Sequence, residues 1–312
     1  MKINRYSVLL CSALAISSLS VQAQDESSQD STGLPGDNFS LAGALELFKK
    51  AASPEQFEKL LNSEDNKVNN LDLNGDGQID YIRVIDKKEN DVHVLVLQAV
   101  VSDKENQDIA VIELEKTGNE NAVLQIVGDE DIFGEETIVE PDGENSSAML
   151  ESADYLAAHG PNSTIENTTT GIIVNVWAWP CVRFVYAPAY TVWASPFTWI
   201  HRPIWWRPWR PLAWHVYHPF RVRYRATYVV APVHRVTVAR TIYRPVRVTS
   251  VTVRTRNEVA VNNYRVTRTK QTRTVTNPRN GNEHKVTRRS TTVEGPRGNS
   301  VTRKSTRVRR RG

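Results

Sequence analysis

Val92-His93-Val94-Leu95-Val96-Leu97-Gln98-Ala99-Val100-Val101 is the stretch that decides the fold. A β-strand turns successive side chains to opposite faces, so a run that is apolar at nearly every position must be covered on both. It therefore reads as an inner strand. Three further runs of strand character surround it: Ile79 to Ile85 before it, Ile109 to Leu114 and Ala122 to Val127 after it. The polar connections Asp86 to Asp91 and Lys116 to Glu120 have the composition of hairpin turns. Four strands in chain order predict an antiparallel meander. In the third run Glu113 and Glu115 alternate with apolar residues, which predicts one solvated face.

Upstream, Leu41, Ala44, Leu45, Leu47 and Phe48 recur at spacings of three and four, the period of a helix with one apolar face. Ser53 then caps a second, shorter helix with Pro54 at its first position and Phe57, Leu60 and Leu61 on one side. Two helices covering a meander make an α+β domain, and the doubly apolar run 92–97 suits a strand covered by them. Residues 24–38, rich in Asp, Ser, Gln and Gly, read as a flexible leader. Residues 128–170 read as an acidic lid or linker with one helical pattern from Ala148 to Ala158. Ile172 to Trp177 reads as a further strand of the first domain.

Between the helices and the meander stands Asp72-Leu73-Asn74-Gly75-Asp76-Gly77-Gln78-Ile79-Asp80. Oxygen donors fall at the first, third, fifth and ninth places, glycine at the sixth, and Gln78 offers its carbonyl at the seventh. Calcium requires six to eight hard oxygen ligands, and glycine permits the sharp turn that aims alternate side chains inward. These nine residues resemble the DxNxDGxxD calcium loops of EF-hands, dockerins and FG-GAP repeats. An EF-hand would carry a bidentate carboxylate three residues beyond Asp80, where Arg83 stands, and would continue as a helix. Tyr81 to Ile85 reads as a strand, so the inter-strand variant is the nearer resemblance, with Asp72, Asn74, Asp76, Gln78 and Asp80 as ligands. Three carboxylates and one amide imply a weak site, roughly 10⁻⁴ to 10⁻³ M. The same residues also make an ordinary polar turn. The first half as a whole resembles uncharacterised secreted proteins of Gram-negative bacteria.

The chain has 312 residues and a formal charge of +4, which hides two opposed halves. Residues 24–170 hold 9 basic and 32 acidic side chains; residues 171–312 hold 28 basic and 3 acidic. The opening looks like a secretory signal: Lys2 and Arg5, then an apolar run from Val8 to Leu19, then Val21-Gln22-Ala23 as a cleavage site, defining residues 1–23. Removal of Cys11 with that segment would leave Cys181 as the single thiol, expected to be a buried small hydrophobe, with no internal disulfide. Export into the periplasm, envelope or exterior follows, and the acidic α+β domain is assigned to residues 39–176.

All eight tryptophans lie between Trp177 and Trp214, interleaved with prolines, so residues 177–220 form a Trp/Pro/Arg-rich segment. Trp199, Arg202, Trp205, Trp206, Arg207, Trp209 and Arg210 combine indoles, which favour a bilayer interface, with cations, which favour anionic head groups. The composition resembles Trp/Arg/Pro-rich antimicrobial peptides. The plain alternative is that the rings pack on one another or on the acidic domain. Residues 221–312 form a basic Val/Thr/Arg-rich low-complexity tail with loose echoes at Val286 to Thr291 and Val301 to Thr306, expected to be largely irregular or disordered. Such a polycation suits an anionic membrane surface or a soluble polyanion, polysaccharide or nucleic acid, nucleic acid being the poorer partner for an exported chain. Its nearest polyanion is its own acidic domain. His93 reads as a core residue, and His215 with His218 lacks a further metal ligand nearby. No catalytic signature occurs, so a binding role is expected; an unrecognised hydrolase is the alternative.

Overall fold

The computed structural model describes residues 31–143, 173–276, 283–294 and 300–310. The secretory segment 1–23 with Cys11, residues 24–30 of the leader and the Ala148–Ala158 pattern lie outside the described residues. Within the expected leader, residues 31–38 are tied by Asp37, whose carboxylate accepts from the Thr32 and Gly33 amides at 2.6 and 2.9 Å.

Helices α1 (Leu41–Lys50) and α2 (Pro54–Leu61) begin where their caps predict. The Ser40 hydroxyl accepts from the Gly43 amide at 3.0 Å, and Ser53 from the Gln56 amide at 3.2 Å. Each satisfies one amide that the first helical turn would leave unpaired. The predicted meander follows as β1 (Tyr81–Glu89), β2 (Val92–Val100), β3 (Asn106–Gly118) and β4 (Asn121–Gly128), all antiparallel. Asn90 and Glu120 carry positive φ in the two tight hairpins. A short helix α3 (Glu130–Phe133) leads to β5 (Thr137–Pro141).

The sheet does not end with the acidic half. The basic half supplies α4 (Pro180–Val185), α5 (Trp214–Arg221), β6 (Tyr228–Val230), α6 (Thr237–Tyr243) and α7 (Val251–Asn263). Strand β6 pairs with β5, giving one six-stranded sheet in the order β1 to β6. Strands β7 (Arg265–Thr276), β8 (Glu283–Glu294) and β9 (Ser300–Arg310) form a second antiparallel sheet of three. The α+β fold with two helices on a meander is as expected; regular structure in the extension, where composition suggested irregular chain, is not. The two sequence echoes fall on the neighbouring strands β8 and β9, which run antiparallel with Val293 opposite Val301.

Both faces of the first sheet are buried. On one face Leu95, Leu97, Ala99, Ile109 and Ile112 meet Phe48 and Phe57 of the helices, and α4 closes the same core with Val182 and Val185. On the other, Val92, Val94, Val96 and Val111 meet Val236 and Ala239 of the α6 region. Strand β2 is thus covered by α1 and α2 on one side only; the extension covers the other and adds α4 to the first. Glu113, expected in solvent, is buried under His234.

The outer edge of β1 is closed as well. Asn62, just after α2, bonds the Ile82 amide and carbonyl, Glu58 accepts from the Val84 amide, and the chain at 193–195 bonds Val84 and Asp86. An open strand edge is a template for aggregation, and here its backbone groups are occupied. Among the described residues no helix is long and apolar enough to cross a membrane.

Candidate functional site

The loop 72–80 is curled as its glycines predict, with Gly75 and Gly77 at φ of +72° and +80°. Its oxygens are taken up by its own backbone. Asp72 accepts from the Gly75 and Gly77 amides at 2.6 and 3.0 Å, Asn74 from the Asp76 amide at 2.9 Å, and Asp76 from the Gln78 amide at 2.8 Å. Asp80 is buried and accepts from the Leu73 amide at 2.6 Å. Burial, with the charges of Asp72 and Asp76 nearby, pushes the Asp80 carboxyl up to about 7. Gln78 is exposed. No three acidic, His or Cys side chains stand close enough to hold a metal ion among the described residues.

In kind and order the donors are those of a hard-cation loop, while the raised Asp80 carboxyl registers chiefly its burial, with the charges of Asp72 and Asp76 adding to it. Two arginines already lie beside the loop. Arg256 donates to the Asn74 carbonyl at 2.6 Å, and Arg202 lowers the Asp80 pKa by its charge. A polar cleft of about 150 Å³ borders Asp72 and Arg256, below the roughly 300 Å³ at which small-molecule sites begin.

The aromatic segment is stitched to the strand side of this loop. The Ile79 amide donates to the Trp209 carbonyl at 2.8 Å, and Asn70 bonds the Leu212 amide and carbonyl at 2.7 and 3.0 Å. Trp206 is buried against Tyr81 and Val100, with Phe197, Trp199 and Trp209 packed around them. Arg202 lies 4.9 Å from the Trp199 ring, 5.0 Å from Trp206 and 5.8 Å from Tyr81. Of the seven residues expected to meet a surface, Trp206 is buried, Trp199, Arg202 and Trp209 are half-buried, and Trp205, Arg207 and Arg210 are exposed.

Several arginines beyond them meet the acidic half. Arg235 forks onto Glu140 at 2.6 and 2.7 Å, Arg247 onto Asp129 at 2.6 and 2.8 Å, and Arg240 reaches Glu136 at 2.7 Å. Paired guanidinium donors match carboxylate geometry, and Asp129 and Glu140 are largely buried, so these contacts are stronger than exposed ion pairs. Asp108 joins the same seam, accepting from the Val248 amide at 2.8 Å and Tyr243 at 3.0 Å.

On the helix-covered face His93 and Asp86 form a fully enclosed pair at 2.8 Å, with Tyr190 donating to the same carboxylate at 2.8 Å. Cys181 is buried, and burial pushes its thiol pKa up, away from nucleophilic use. His93 is a core residue by position, as its strand context suggests. Sequence reading missed the seam partners of Asp108, Glu113 and Asp129, because Val248, His234 and Arg247 lie more than 100 residues away. No family model, curated protein or solved structure matches this chain.

Proposed function

We propose that this is an exported, envelope-associated protein with a binding rather than catalytic role, in which a calcium-stabilised acidic domain carries a basic extension that engages an anionic surface. The observation that carries this reading is the division of the cations. Arg235, Arg240 and Arg247 are engaged by the protein's own carboxylates. By contrast, β7, β8 and β9 hold four, three and five Lys or Arg against two Glu. Arg288, Arg289 and Lys304 of that sheet are exposed. Such a surface binds by neutralising negative groups and releasing their counterions, so its affinity depends on salt. Residues 1–23 support the compartment, and the donor set Asp72, Asn74, Asp76, Gln78 and Asp80 supports calcium.

The test compares the full chain with one ending at Asn263 on vesicles containing anionic lipid, across a salt series. The full chain should bind and weaken steeply with salt, and the shortened chain should lose most of that salt-dependent part. Equal binding by both would refute the reading. Retention on heparin without retention on vesicles would favour a soluble polyanion instead.

A further inference from the structure

We infer that the turn at 198–206 is a membrane-inserting tip, with Ile200, Ile204 and Trp205 entering the interface of an anionic lipid bilayer. The inference rests on the anionic-surface reading and adds to it the residues and the occupant: a bilayer rather than a dissolved polymer. Ile200 is 86% and Ile204 is 91% exposed, with Trp205 at 42% beside them. Single exposed apolar residues are ordinary on a protein surface, whereas three within six positions of one turn mark a candidate interaction site.

The exposure is built in. The Thr198 amide donates to the His201 carbonyl at 3.0 Å and the Trp206 amide to the Pro203 carbonyl at 3.1 Å. Arg207 brackets the turn through the Ile204 and Trp206 carbonyls at 3.1 and 2.8 Å, and Arg202 holds the Trp199 carbonyl at 3.1 Å. Pro203 and Trp206 are buried at its base. The tip is thus ordered before any partner arrives, and little conformational entropy remains to be lost on docking.

The surroundings select the partner. Lys59 sits 5.6 Å over the Trp205 ring, and Arg207 and Arg210 are exposed at the base of the turn. The segment itself has no acidic residue from 171 to 257, and the nearby carboxylates Asp76 and Asp80 lie toward Arg202. Exposed aliphatic side chains, an indole and cations on one turn match the three chemistries of a bilayer: hydrocarbon, interface and phosphate. Two isoleucines and one indole make a weak anchor alone. A single short apolar anchor holds a membrane only marginally and becomes stable with a second, polybasic signal. The sheet β7–β9 provides one.

The experiment uses the full chain, sedimented with phosphatidylcholine vesicles with and without phosphatidylglycerol. The variant Ile200→Ser/Ile204→Ser alters side chains that hold no core contact, so its thermal melt should match the wild type. Its partition onto mixed vesicles should fall at least about tenfold, whereas Val259→Ser, at a residue 72% exposed on α7, should leave it unchanged. An environment-sensitive dye on Ile204→Cys, in a chain that also carries Cys11→Ser and with the buried Cys181 left unlabelled, should shift to the blue on binding. An unchanged partition of the double variant, or a dye that stays water-like on bound protein, overturns the tip and leaves the surface reading standing. No sedimentation of any form with either vesicle overturns both.

Discussion

Asp80 is where the metal reading is decided. Its carboxyl, pushed up to about 7 by burial and by Asp72 and Asp76, is largely neutral below that pH and charged above it. A carboxyl raised in the folded state contributes stability that is fully present below its ordinary value near 3.8 and lost as pH rises through about 7. In chelator the melting temperature should therefore fall between pH 5 and pH 8, and Asp80→Asn should flatten the fall. At pH 8, calcium at 100 times its dissociation constant should restore about 2.7 kcal/mol to the wild type and nothing to Asp80→Asn. Identical melts with and without calcium would leave the loop a polar turn. Glu58 gives a second test. Its buried carboxylate accepts from Tyr81 at 2.7 Å, the Val84 amide at 2.8 Å and Ser195 at 2.7 Å. Glu58→Ala strands three donors at the edge of β1 and should cost at least about 3 kcal/mol in urea unfolding, with Glu58→Gln costing less.

At the scale of elements, the extension behaves as part of the domain it was set apart from by composition. A fragment ending at Val176 would lose the cover over Val94 and Val96, the seam at Asp108 and Asp129, and the 193–195 segment along β1. It should aggregate or melt far below the full chain, whereas a fragment ending at Asn263 should melt within a few degrees of it. Calorimetry of the two fragments decides this. The helices and the meander were legible because their signals are local: serine caps, a period of three to four, and alternation between turns. The seam was not legible. Glu113 carries the signature of a solvated face, and only the return of His234, 121 residues later, buries it. Nor does the Val/Thr/Arg composition of α6 and α7 display a period that would announce what they cover. At the loop, spacing and glycine positions read through to the observed curl, while the capture of its oxygens by backbone amides depends on torsions that no spacing encodes.

At the scale of the molecule, opposed halves at −23 and +25 fold onto one another with the help of a few forked, half-buried ion pairs, and twelve further cations lie in β7–β9. Pairs at the seam are screened less than exposed ones, so moderate salt should release the protein from an anionic surface without unfolding it. Circular dichroism and vesicle binding over one salt series check this: loss of both signals together would mean that the seam and the surface share the same cations. The closing of β1 has a consequence in time. Its outer edge is sealed by residues 193–195, more than 100 positions later, and the far face of its sheet waits for Val236. A ribosome delivers the amino-terminal half first, so the nascent meander spends that interval with sticky, half-dressed strands. Until the arginine-rich remainder emerges, that exposed surface is open to aggregation.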